Sequence, residues 1–568
     1  MKNIFKFTLP IAALALTMGM TSCTKDLDVD PIDPNLSTEL NLDGLYLKCY
    51  ANLALPGNGG ANGDSDIDGY DGGTAGFIRQ LWNSNELPTD ESICCWGDPG
   101  IAGFNFNQYD ASHPMLHMYY YRLTTGINYC NSYLNEVGDG GDAQKKAEVR
   151  FIRALQYYML MDAFGNIPFT TSLAKPEQIS RQEAYNWIES ELLAAEPDLM
   201  EAKAMKSTDA QYGCVTKGAA WMLLARLYLN AEVYTGTAQW DKAAAYAKKV
   251  IDANYQLHTT GVGAWTAYQM LFMADNGETN AAYEAIFPIL QDGAKTTSWG
   301  GTLFCIASCY DKAMHANPLD DAATNNTDQA WGGNRARPDL IKKFFPLENA
   351  PEDAQSFDMA AAANDDRALF CSAGHTYNVE KVTEFTNGYG VAKWTNFTSD
   401  GSAAHNASFP DTDFFLFRLA EAYLTYAEAT ARANGGNTTG EGTELINKIR
   451  SRAHASTRTN GSYTLDDIID EWAREFYYEG RRRIDLVRFG RFFGPSSDQY
   501  RYHWEGRTGK NDMPPAENSP FFTTGTPEYM NWFPVPSEDK RSNPNFKTDV
   551  EGDAQNEFAA QGGDGYVY

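Results

Sequence analysis

The sequence contains no Gly-x-Ser-x-Gly elbow and no Cys-x-x-Cys pair in any of its 568 residues. The first absence removes the signature of a serine hydrolase, and the second removes a zinc ribbon and a thiol redox motif. A phosphate loop is missing too. Gly509-Lys510 has the right ending, but Trp504 replaces the earlier glycine and Asn511 the hydroxyl residue. His113 and His117 have two-histidine spacing without the glutamate of a zinc protease, and Pro114 lies where a helix interior belongs. Both histidines read as structural.

Cationic residues are scarce. Lys and Arg number 46 against 74 Asp and Glu, a formal net charge of −28. A surface this acidic argues against nucleic acid, because phosphates are held by Lys and Arg. It argues equally against docking on anionic lipid head groups. Carboxylates alone do not make a glycosidase, which needs two at a set separation across the scissile bond, and no such pair stands out. Asp64-x-Asp66-x-Asp68-Gly69 copies the start of a calcium loop, but Ala75 occupies the twelfth position, where a bidentate Glu belongs. It reads as an acidic turn.

The N-terminus is specific. Lys2 and Lys6 precede an apolar run from Ile11 to Met20 and the small pair Thr21-Ser22, the pattern of a secretory leader over residues 1–22. The run is shorter than the ~20 residues of a spanning helix. Met20-Thr21-Ser22-Cys23 resembles a bacterial lipobox, so Cys23 is expected to carry the lipid and begin the mature chain. Losing the two leader lysines takes the charge from −28 to −30. The acidic stretch Asp26 to Asp30 resembles a surface-export signal of bacterial lipoproteins, which places the protein on the extracellular face of the outer membrane. The eight other cysteines are expected to be free and mostly buried, since a chain this long needs no disulfide framework.

Residues 23–40 read as a lipidated tether and 41–568 as a single body. Phe151, Ala154, Tyr158 and Met161 lie at helical spacing, with a stop at Gly165 and Pro168. Ala220, Leu224, Leu227 and Ala231 form a second stripe, and Trp221-x-x-Leu224-Ala225-x-x-Tyr228 matches the first helix of a tetratricopeptide repeat. Ala243, Ala247 and Ile251 supply its second helix after a turn at Gly236. A further pair is predicted at Leu416-Ala420-Tyr423-Ala427 and Leu445-Ile449-Ala453, joined by a polar turn from Asn434 to Gly442. The fold expected is therefore mainly α, with helical pairs over about 145–260 and 411–490. Aperiodic loop regions at 50–115, 293–410 and 494–568 are too long for mere connectors and point to function.

Two C-terminal blocks are the most distinctive. Asp411-Thr-Asp-Phe-Phe-Leu-Phe-Arg418 runs on to Glu421, Tyr423 and Glu428, and Glu471-Trp-Ala-Arg-Glu475 runs on to Glu479-Gly480, Arg483, Asp485 and Arg488. With Ile32-Asp-Pro34, Asn85 to Glu91, Ala147 to Ala154 and Leu271 to Asn276, they give a near end-to-end resemblance to the SusD/RagB family of outer-membrane glycan-binding lipoproteins. The likeness is strongest to its starch-binding branch. That resemblance implies a SusD-like fold, binding without cleavage, and a SusC-like TonB-dependent transporter as partner. The ligand it implies is starch or related α-glucan oligosaccharides, handed on to that transporter. Another glycan or a peptide cargo, and a lid or scaffold without ligand, are the alternatives.

The resemblance also carries a site. Three aromatics from separate loops match Trp96, Trp299 and Trp331, and the polar contacts match Asp71 and Arg79. Where the family pattern has an amide this chain has Pro99, with Asp98 beside it as a substitute that accepts but does not donate. No cofactor is implied beyond a structural calcium ion, for which Asp275, Asn276 and Glu278 are the candidate ligands, against the blander reading of a helix-capping turn.

Overall fold

A computed structural model describes residues 41–107, 109–320, 324–492 and 531–546, and the unit of residues 46–568 carries everything below. The leader, Cys23 and the tether lie outside the described residues. The elements that position the site are α1 (Phe77–Glu86), β1 (Ser92–Cys94), α2 (Pro114–Val137), α3 (Ala143–Phe164), α4 (Arg181–Ala195), α5 (Lys217–Leu229), α6 (Trp240–Asp252), β2 (Ala285–Ile289), β3 (Asn334–Ala336), β4 (Phe414–Arg418), α7 (Leu419–Ala433), α8 (Gly440–Arg452), α9 (Leu465–Phe476) and α10 (Arg482–Arg488). Among the described residues helices dominate, and each small sheet has two strands.

The paired helices form as the pattern requires. α5 is buried along nearly its whole length, and α6 packs against it and against α7 through Ala243 and Ala247, small residues that let backbones approach. The third buried position of α6 is Val250; Ile251 is half-exposed. α7 continues the stack onto α8 and α9.

Two helix expectations need correction. Leu416 belongs to β4, not to the helix that follows, because Phe414-Phe-Leu-Phe is a buried aromatic run that pairs antiparallel with β2. Pro114 does not break a helix. It opens α2 at the first helical position, where its missing N–H costs nothing, and His113 caps it by accepting the Leu116 N–H at 3.3 Å. His117 Nε2 lies 2.8 Å from the Ala111 carbonyl, so both histidines serve the backbone.

The C-terminal signature is an interior ion network. Arg418 on β4 bonds Glu475 at 2.6 Å, Glu479 at 2.8 Å and Glu284 at 3.1 Å, and all four side chains are buried. Arg367 bridges Asp365 and Glu471, each at 2.7 Å, and Arg452 joins Glu284 to Glu475. The surrounding guanidinium groups hold Glu475 down to about 2 against the opposing pull of burial. Arg488 forks onto Glu428 at 2.7 and 2.9 Å, and Trp472 donates its indole N–H to the same carboxylate at 2.7 Å.

The same signature grips the segment Asn85 to Glu91. Glu86 accepts the backbone N–H groups of Gly480 and Arg481 at 2.7 and 3.0 Å. Arg482 forks onto Asp90 at 2.8 and 2.9 Å, and Arg483 reaches Asn85 at 3.1 Å. The helical scaffold thereby fixes the stretch of chain that leads into β1 and the Trp96 loop.

Candidate functional site: an aromatic cleft

β1 pairs antiparallel with β3, Ser92 opposite Ala336 and Cys94 opposite Asn334. Trp96 lies just past the end of β1 and Trp331 just before the start of β3, so this short ladder brings the two loops side by side. The N–H of Cys95 continues it by donating to Gly333 at 3.1 Å. The third loop arrives by close glycine packing. Arg79 N–H donates to the Gly300 carbonyl at 3.2 Å, and a Cβ on Gly76 would meet that oxygen at 2.9 Å.

The result is an open cleft of about 430 Å³ lined by Asp71, Gly73, Arg79, Trp96, Asp98, Trp299 and Trp331. All six glycan-site candidates meet there. Trp331 sits between the other two indoles, 6.3 Å from each, with its plane tilted 52° to Trp96 and 45° to Trp299. Neither neighbouring pair of rings is coplanar, so the aromatic surface is not flat. The three rings are half-buried, so each keeps part of its surface toward solvent.

Arg79 lies deeper. Its Nη1 donates to the Gly73 carbonyl at 3.0 Å, and its guanidinium packs 4.9 Å from the Phe304 ring and 5.8 Å from Trp96. Burial draws its pKa below the usual arginine value, while Asp98 and Asp71 pull the other way. Its buried Nε has no partner among the described residues. Asp71 is exposed, and one of its oxygens accepts the Thr74 N–H at 3.0 Å. Asp98 is exposed at the rim.

Sequence reasoning missed Phe304, Phe409, Asn62 and Gln329. Phe304 is buried against Trp82, Trp96 and Arg79, and Phe409 packs on Trp299 with centroids 4.9 Å apart. Asn62 and Gln329 accept the indole N–H groups of Trp299 and Trp331, at 3.2 and 2.9 Å. Only the tandem glycines after Trp299 and Trp331 hinted at such crowding.

The calcium candidates behave differently. Asn276 is buried and spends its amide on backbone, donating to Leu271 and Asp413 and accepting from Asp413. Asp275 accepts from Ser399, and Glu278 is exposed. The arrangement is a tied turn. Asp66 of the acidic turn pairs with Arg122 at 2.6 Å, Lys48 at 3.1 Å and Tyr129. Among the described residues Asp292, His405 and Asp411 also converge, but Lys295 pairs with Asp292, and Asp411 faces His405 and the Gly293 N–H. No helix of the described residues is long and apolar enough to cross a membrane. Of the eight cysteines other than Cys23, six are buried.

Two family models match this sequence: the SusD family over residues 359–551, and "starch-binding associating with outer membrane" over residues 77–229. The chain is 38% identical to the starch-binding protein SusD of Bacteroides thetaiotaomicron, covering 94% of this chain and 96% of that one. The chain belongs to the SusD family. Its fold is shared with surface glycan-binding protein A of Bacteroides thetaiotaomicron, solved with laminarihexaose (TM-score 0.60, 18% identity, 89% of this chain and 97% of that one). It is shared equally with a protein solved with a xylogluco-oligosaccharide (TM-score 0.63, 19% identity, 88% and 97%).

Proposed function

We propose that this protein is a surface lipoprotein that binds starch-like α-glucans and passes them to a TonB-dependent transporter. In this reading residues 1–22 are removed, Cys23 carries the lipid, residues 23–40 are the tether, and 41–568 form one body on the outer face of the outer membrane. The observation that carries the ligand is the bent row of Trp96, Trp331 and Trp299 over Arg79, Asp71 and Asp98. The high identity to a protein named for starch binding supports it.

Sugars present apolar C–H faces and hydroxyl edges, which is what indoles beside charged groups can receive. Covering one face removes ~60 Å² of apolar surface, roughly 1.5 kcal/mol at about 25 cal/mol per Å². Three platforms and a few hydrogen bonds give micromolar to millimolar affinity after the cost of association. Cleavage is not part of the proposal, because the two carboxylates of the cleft, Asp71 and Asp98, are both exposed.

A second reading keeps the cleft and changes the glycan. The solved relatives with laminarihexaose and a xylogluco-oligosaccharide favour it, as does Asp98 in the amide's stead. Electrophoresis through gels containing amylopectin, laminarin or xyloglucan separates the two. Selective retardation by amylopectin supports the first reading; equal retardation by a β-linked glucan overturns it. Metabolic labelling with a fatty-acid analogue tests the anchor, and Cys23→Ala should lose the label. Co-purification with a barrel transporter from detergent-solubilised outer membrane tests the partner.

A further inference from the structure

Trp331 and Trp299 come from different loops, yet a continuous run of contacts joins them outside the cleft. The Trp331 indole N–H donates to Gln329 Oε1 at 2.9 Å, and Gln329 Nε2 donates to Asp328 Oδ1 at 2.8 Å. Ser408 Oγ lies 2.8 Å from both Asp328 oxygens, and the Asp328 N–H donates to the Ala407 carbonyl at 2.8 Å. Phe409, the next residue, packs its ring on Trp299 at 4.9 Å and 60°. Asn406 Oδ1 steadies that turn by accepting the N–H groups of Ser408 and Phe409 at 2.8 and 3.1 Å. Gln329, Asp328, Ser408 and Phe409 are not among the residues that line the cleft.

We propose that Gln329, Asp328 and Ser408 form a strut of positioning residues that sets the tilt between Trp331 and Trp299, and through it the glycan curvature the cleft prefers. An aromatic ring on an exposed loop turns about a broad, soft terminal torsion. Each end of the strut removes one such freedom: a hydrogen bond to the Trp331 ring edge, and ring packing against Trp299. The 45° between the two planes is thus held before any ligand arrives. A curled chain needs both faces at that tilt, whereas a short ligand on one ring does not. The ligand half of this inference rests on the α-glucan reading above; the strut itself does not.

The test uses the full mature protein with Gln329→Leu, Ser408→Ala, the double variant, Ser408→Thr, and Trp331→Phe as reference. Indoles this close couple their transitions, so the ligand-free protein should show an exciton couplet in circular dichroism that Trp331→Phe removes. Gln329→Leu and Ser408→Ala should each shrink that couplet with little change in melting temperature. Each should weaken binding of a cyclic α-glucan about threefold to tenfold more than binding of maltotriose, the range one lost hydrogen bond commands. The double variant should lose no more than the larger single one, since the bonds act in series. Ser408→Thr, which keeps the hydroxyl, should restore both signals. An unchanged couplet with an unchanged affinity ratio in both single variants overturns the strut. A couplet that shrinks in a protein whose wild type binds no α-glucan supports the strut and overturns the glycan reading instead.

Discussion

The Trp96 indole rests directly on the backbone of Gly333: a Cβ at that glycine would stand 2.2 Å from the ring. The contact is possible only without a side chain, and it fixes one end of the aromatic row. Gly333→Ala should push Trp96 out of line while leaving the strand pairing intact. Glycan affinity should fall about tenfold, or 1.4 kcal/mol. Calorimetry against maltoheptaose, with thermal unfolding as control, checks this.

The three tryptophans are half-buried loop residues, so their removal should cost binding and little stability. Single replacements by Ala should each cost on the order of 1–2 kcal/mol of binding, the value of one covered sugar face. The triple variant should not be retarded by amylopectin. A large fall in its melting temperature would instead mark the rings as core.

Asp71 and Arg79 should part company. Asp71→Ala removes an exposed carboxylate and should weaken binding by roughly 1–3 kcal/mol with little change in unfolding. Arg79→Ala also releases the Gly73 carbonyl and unpacks Phe304, so it should lower both affinity and melting temperature.

Glu86 and Glu91 are buried within reach of each other, beside Arg482 at 3.4 Å from Glu91 and with Lys393 and Asp90 nearby. Burial pushes Glu86 up to about 7, and burial together with the charge of Glu86 pushes Glu91 well above the carboxylate range. The folded state therefore holds protons that the unfolded chain has released above about pH 4.3. Stability from this pair falls as pH rises from about 5 through 7 and beyond. Urea unfolding of Glu91→Gln should show a flatter pH dependence than wild type and a relative gain at pH 8.

Glu475→Gln leaves Arg418, Arg452 and Arg367 sharing one charge fewer in a dry interior. The loss should be about 3–5 kcal/mol, the cost of stranding buried charge. Chemical denaturation measures it.

The helical pairs were legible because alanine and leucine recur at helical spacing, and the family because its Arg and Glu signature is a distinctive run of charged residues, which the fold pairs in its interior. β4 was misplaced because a short buried aromatic run looks alike in a helix and a strand, and only its partner β2 decides. The tryptophans could be named from the loops that carry them, yet not their tilt. That depends on Gln329, Ser408 and Gly333, whose importance lies in what they touch across the fold.

The rings are set by contacts internal to the protein, and among the described residues the cleft between them stands open. A glycan lying there would be held by its own contacts with the rings and the polar groups beside them. At about 0.1 mM, inside the micromolar to millimolar range proposed, and an association rate of about 10⁶ M⁻¹s⁻¹, a glycan stays for roughly 10 milliseconds. A station that holds its cargo so briefly is suited to rapid exchange, and what it would contribute to uptake is local concentration at the surface.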